Sequence, residues 1–122
     1  MQNFTKLDVW QRAHALAVNV HTGTEGFARV DAGYISQLRR ATESIAANIA
    51  EGSAHESRKE FVRFLRIAVA STHEADNHLR LGEATKRLHV TRARAWADEL
   101  SIVRRQLIRL IQRITEAQRT TL

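Results

Sequence analysis

The sequence predicts an all-α fold, an antiparallel up-down four-helix bundle, and three observations carry that prediction. The chain has no proline and only 5 glycines in 122 residues, so the strongest helix breakers are nearly absent. Between Ile35 and Gly52 the small or apolar positions fall at Ile35, Leu38, Thr42, Ile45, Ile49 and Gly52. Steps of three and four return a side chain to one face of a 3.6-residue helix, so this face is built to lie along other helices. Finally, capping residues and glycines divide the chain into four such segments with short connections, the pattern of antiparallel neighbours. The length suits a single domain over residues 1–122, able to bury roughly two-thirds of its unfolded surface.

Helix one is expected to start after Thr5, with the Thr5 hydroxyl as cap, Asp8 at the third helical position and Phe4 stapled to Val9. Trp10, Ala13, Leu16, Ala17 and Val20 form its inner face, and Gly23-Thr24-Glu25-Gly26 ends it, with Phe27 tucking the connection down. Asp31 is the candidate cap of helix two, Val30 and Ile35 again stand at staple spacing, and Gly52 is the expected C-terminal stop. Ser57-Arg58-Lys59-Glu60 is a capping box before Phe61 and opens helix three, whose seam reads Phe61, Leu65, Ala68, Thr72, Ala75, Leu79 and Gly82 and whose pattern continues to about Leu88. Thr91 can cap helix four, with a seam of Ala93, Trp96 or Ala97, Leu100, Val103, Leu107, Leu110 and Ile114.

Helices three and four are more apolar than one bundle requires. On helix four the arc from Leu110 to Ile108 spans roughly 160°, against the ~100° of one buried face. On helix three, Ile67, Val62 and Val69 flank the seam and Leu81 lies farther round. Surplus apolar surface marks a protein contact, and a second copy of the chain is the simplest partner, so Ile67, Leu81, Ile108 and Ile111 are candidate oligomer contacts. The competing reading leaves Ile108 and Leu81 as ordinary scattered surface residues. Beside the helix-two seam, Ser44, Asn48 and Glu51 recur at steps of four and three and form a candidate buried polar network, with Arg39 or Ser71 as partners. A catalytic carboxylate at Glu51 would need a paired acid or histidine that spacing does not supply.

Enzymatic constellations are disfavoured. His73 and His78 stand five apart, about 140° around a helix, which is wrong for two zinc-binding imidazoles on one face. None of the 9 Glu residues has a histidine three positions later, as a di-iron bundle would require. A histidine phosphotransfer helix has a weak echo in His78-Leu79-Arg80-Leu81-Gly82, but the basic residue follows His78 by two instead of three. No cofactor and no small-molecule substrate are indicated. The absence of cysteine fits a reducing compartment, the N-terminus lacks a signal-peptide pattern, and no apolar run reaches ~18 residues, so a cytoplasmic protein off the membrane is expected.

The charge points to partners. Nineteen Lys and Arg against 13 Asp and Glu give +6 and a pI near 11, which attracts polyanions. Arg105, Arg109 and Arg113 recur every four residues on helix four, and Arg58, Lys59, Arg63 and Arg66 stand early on helix three. They form a candidate stripe for RNA or DNA phosphates. A solvated helix face would carry similar charge, and without interleaved aromatics any binding should tolerate sequence.

The run Gln37-Leu38-Arg39-Arg40-Ala41-Thr42-Glu43-Ser44-Ile45-Ala46-Ala47-Asn48-Ile49-Ala50-Glu51-Gly52 resembles the signature of the four-helix bundle proteins encoded in intervening sequences of bacterial 23S ribosomal RNA genes. Phe4 to Ala13 resembles that family's opening, and Glu60-Phe61 to Ala68, with Ser71 and Glu74, its later elements. The proline usual near the first connection is missing. The resemblance implies a small bacterial cytosolic protein forming a ring of five subunits, without known catalysis. It also extends to the accessory variability determinant of diversity-generating retroelements, a basic pentameric barrel that binds reverse transcriptase and nucleic acid. The resulting expectation is a non-enzymatic homo-oligomeric scaffold for nucleic acid or a nucleic-acid enzyme; the alternative is a protein-binding adaptor with no nucleic-acid affinity.

Overall fold

The structure, a computed structural model, describes residues 3–27 and 31–120, with the backbone alone at Phe27 and Thr120. The expected tuck of Phe27 and the Val30–Ile35 staple lie outside the described residues. Among those described, four α-helices follow one another: α1 (Asp8–Gly23), α2 (Ala32–Ser53), α3 (Arg58–Ala84) and α4 (Val90–Thr120), with short 3-10 turns at Phe4–Lys6 and Glu25–Phe27. Each helix packs on the next and α4 closes against α1, an antiparallel four-helix bundle. Leu16, Leu38, Ile45, Ile49, Leu65, Leu79, Leu100 and Leu107 fill the centre, so every helix contributes to one core.

Several boundaries differ from the sequence expectation, each because a tertiary partner outcompetes a local one. Thr5 does not cap α1. Its amide and hydroxyl both donate to Asn3 Oδ1, at 3.1 and 2.6 Å, which builds the first 3-10 turn and delays the helix to Asp8. Phe4 meets Trp10 edge-on, with ring centroids 5.1 Å apart, in place of a staple to Val9. Asp31 occupies the N-cap position of α2 without a capping bond, because its carboxylate accepts from Arg87 Nε at 3.1 Å. His89 Nδ1, not Thr91, accepts from the Thr91 amide at the start of α4.

The Ser57 boundary forms as expected, Ser57 Oγ accepting from Glu60 N at 3.3 Å. At its other end α3 stops at Ala84, short of Leu88. Lys86 adopts a left-handed φ of 62°, and the amides of Arg87 and Leu88 both donate to Gly82 O, turning Leu88 into the core. Gly82 is required there: a Cβ would collide with the Tyr34 hydroxyl and lie 2.9 Å from Leu88 Cδ1. The expected stop at Gly52 has the same kind of cause. A Cβ at Gly52 would lie 2.7 Å from Phe64 Cβ, so the residue marks close approach of α3.

Arg39 fastens the end of α1. Its Nε donates to the buried Thr24 hydroxyl at 2.9 Å and its Nη2 to His21 O at 3.1 Å, while Arg92 Nη1 donates to Gly23 O at 2.8 Å. Two guanidiniums therefore meet the negative end of the α1 dipole.

Candidate nucleic-acid interface

The bundle has two unlike ends. One carries the end of α1, the start of α2 and the connection 85–89; the other, called the base below, carries the start of α1, the connection 54–57 and the end of α4. At the first end guanidiniums are already engaged: Arg87 with Asp31, Arg94 with Glu83 at 3.0 Å, and Arg39 and Arg92 with the α1 terminus. Such cations have much of their charge offset locally.

At the base α4 runs on to Thr120 while α1 begins only at Asp8, so the last turns of α4 are flanked on that side by Leu7 and the Phe4–Lys6 turn. Two adjoining clefts result. One, of about 350 Å³, lies between α4 and the start of α1 and is lined by Lys6, Asp8, Arg109 and Arg113. Gln106 also faces it, and its Oε1 is buried without a partner. The other, of about 530 Å³, opens beside the first turn of α3, with Arg58 and Arg113 at its rim and Phe61, Leu110 and Ile114 as its floor. Arg113 and Leu110 line both. Among the described residues no carboxylate pairs with Lys6, Arg58, Arg109 or Arg113.

The seven basic residues named from sequence do not form one stripe. Arg58, Arg109 and Arg113 gather at the base, joined by Lys6, which carried no periodic signal because it sits in an irregular turn. Arg105 lies two turns from Arg113, donating to Ser101 O at 3.4 Å. Arg63 is exposed on α3, paired with Glu60 at 3.2 Å and stacked over Phe64, and Lys59 is exposed on the first turn of α3. Arg66 belongs to a different groove, between α3 and α4, floored by Val69, Ile108 and Ile111. α4 itself separates these groups, since Arg113 faces its α1 side and Ile108 its α3 side.

Of the polar residues, the structure joins Ser44, Asn48 and Ser71. Ser44 Oγ lies 2.9 Å from Ser71 Oγ, and Asn48 Nδ2 donates to Ser44 O and Oγ at 2.8 and 3.0 Å. Arg39 and Glu51 stand outside this group: Arg39 is drawn to Thr24 and His21, and Glu51 is exposed near the end of α2. Ile111 also departs from expectation. It is only 7% exposed and belongs to the core, because α3 covers that side of α4. Ile67, Leu81 and Ile108 remain exposed at 38, 45 and 41%.

His78 is half-buried, with Nδ1 unpartnered, Nε2 3.8 Å from Glu74 and the Tyr34 ring edge-on at 6.3 Å. That setting differs from the open imidazole a phosphotransfer helix presents. Among the described residues no three histidine or acidic side chains are grouped to hold a metal ion, and no helix is long and apolar enough to cross a membrane.

Comparisons place this geometry among known proteins. No curated protein matches the chain. A solved structure of a protein of unknown function from the S23 ribosomal protein family of Bacteroides thetaiotaomicron VPI-5482 superposes with a TM-score of 0.80 at 23% identity. The match covers 85% of this chain and 95% of that one, and it shows the shared fold. The model of the 23S rRNA-intervening sequence protein family matches residues 5–109, and with that span of the bundle accounted for, the chain belongs to this family.

Proposed function

We propose that this protein is a non-enzymatic, self-associating scaffold that holds structured nucleic acid against the base of its bundle. The observation that carries the reading is the contrast between the two ends: Lys6, Arg58, Arg109 and Arg113 converge on adjoining clefts without ion pairs among the described residues, whereas at the opposite end Arg87 and Arg94 are ion-paired and Arg39 and Arg92 donate to the terminus of α1. Arginine forks that are not already paired are free to bind phosphate oxygens bidentately.

Self-association draws on different surfaces. Ile67 and Leu81 lie on the outside of α3, about 21 Å apart along the helix, and Ile108 lies in the α3–α4 groove. Contacts between unlike faces of successive copies close into a ring when the rotation permits, consistent with the five subunits that the family resemblance implies. A ring repeats the basic clefts and multiplies a weak contact into avidity.

Binding to a structured RNA hairpin tests the proposal. Four phosphate contacts give a slope of about −3.6 in log K against log salt, or roughly a 150-fold loss of affinity from 50 to 200 mM salt. Replacing Arg58, Arg109 and Arg113 by Glu should abolish binding while sedimentation velocity shows assembly unchanged. Undetectable binding at 50 mM refutes the reading and leaves a protein-binding adaptor. A monomer at every micromolar concentration refutes self-association.

A further inference from the structure

We infer that the 530 Å³ cleft beside the start of α3 receives one unpaired nucleotide of the bound nucleic acid, its base against Phe61, Leu110 and Ile114 and its phosphate at Arg58 and Arg113. The inference rests on the reading of the base as the nucleic-acid face and adds what that face recognises. A face that met only duplex phosphates would need cations on a convex surface; here the cations rim a hollow with an apolar floor. The hollow lies within the range of small-molecule pockets, roughly 300–1,000 Å³.

Its lining favours a flat heteroaromatic over a purely hydrocarbon ligand. His55, Glu56 and Ser57 stand around the same cleft, offering an imidazole, a carboxylate and a hydroxyl to the polar edge of a base. An acyl chain would make no use of these polar groups. The His55 ring is itself held in place, stacked on Phe64 with centroids 5.2 Å apart and 17° between planes. Unpaired nucleotides are read in this manner, with the base on an apolar or aromatic surface and the phosphate on Arg. Duplexed bases cannot enter, because their Watson–Crick edges are paired and their faces are stacked. The cleft therefore makes the protein prefer duplexes that carry a frayed end, bulge or overhang.

The test uses two RNA hairpins with one stem, one blunt and one with a single 3′-overhanging 2-aminopurine nucleotide bearing a terminal phosphate. The full chain should bind the overhang hairpin roughly tenfold more tightly, with the 2-aminopurine emission rising as the base leaves the stem-end stack for the cleft. Ala117→Leu fills part of the cleft that Ala117 lines and should remove the preference and the emission rise while leaving blunt-hairpin affinity and helical circular dichroism unchanged. Arg58→Ala, on an exposed side chain, should reduce the preference without unfolding the bundle. Equal affinity for the two hairpins, or a preference that survives Ala117→Leu, overturns the inference and leaves the basic face standing. Failure of both hairpins to bind at 50 mM salt overturns both.

Discussion

Gly52→Ala measures how tightly α2 and α3 are held at the base. The new methyl would lie 2.7 Å from Phe64 Cβ, 3.0 Å from Phe61 Cδ1 and 3.3 Å from Phe61 O. Two of those atoms are fixed to the α3 backbone, so rotating a side chain gives no relief. Ordinary carbon contacts are ~3.5–4.0 Å, and the two helices must separate by about 1 Å. Overpacking of this kind costs about 1–3 kcal/mol, and backbone-anchored atoms put the cost at the upper end. Alanine returns about 0.8–1.0 kcal/mol of helix propensity, leaving a net loss of about 2 kcal/mol. For a chain of this length that lowers the melting temperature by about 8 °C. Gly33 is the control: nothing lies within 4 Å of its Cβ position, so Gly33→Ala feels propensity alone and should stabilise by up to ~1 kcal/mol. Urea titrations and thermal melts of both variants decide the matter. If Gly52→Ala is as stable as the parent, Gly52 serves only to end a helix and the spacing of α2 and α3 is not set there.

Tyr34 supplies a pH-linked prediction: burial raises its phenol above the ordinary value of 10.0, opposed in part by the Arg87 guanidinium. The folded state holds the proton more tightly, so this contribution is fully present below pH 10 and is lost as pH rises through the higher folded-state value. Tyr34→Phe loses the hydroxyl bond to His78 O, about 1 kcal/mol, and should show a smaller stability loss than the parent between pH 9 and pH 11 in urea unfolding; identical losses refute the assignment. Asn48→Ala removes both bonds to Ser44 and should cost about 1 kcal/mol in the same assay, with a change below a few tenths counting against the Ser44–Asn48–Ser71 network.

Much of the fold was legible because it is written in short-range pattern. The seam from Ile35 to Gly52 and the Ser57 cap need only the residues beside them and form as read, although the Glu60 carboxylate turns to Arg63 instead of closing the box. What sequence could not show is where distant groups compete for a local bond. Asp31 is a reasonable cap until Arg87, 56 positions away, takes its carboxylate. Arg39 sits among the signature residues yet serves the end of another helix. Ile111 was counted with surplus apolar surface because a helical wheel does not say how far a neighbour's side chains reach. The candidate site was half legible for the same reason. The four-residue spacing of Arg109 and Arg113 is local, but Lys6 and Arg58 join them only because α4 outruns α1, a mismatch of lengths that no motif records.

Three glycines each admit aromatic side chains: Gly23 the indole of Trp96, Gly52 those of Phe61 and Phe64, and Gly82 the phenol of Tyr34. All three stand near helix termini, while the middle of the bundle is filled by leucine and isoleucine, which are equal in volume. Sliding any of these rods by a single residue would drive a ring into a Cβ. The termini therefore index the axial alignment, and the interior is free to drift among aliphatic choices across generations without the four rods losing their mutual setting.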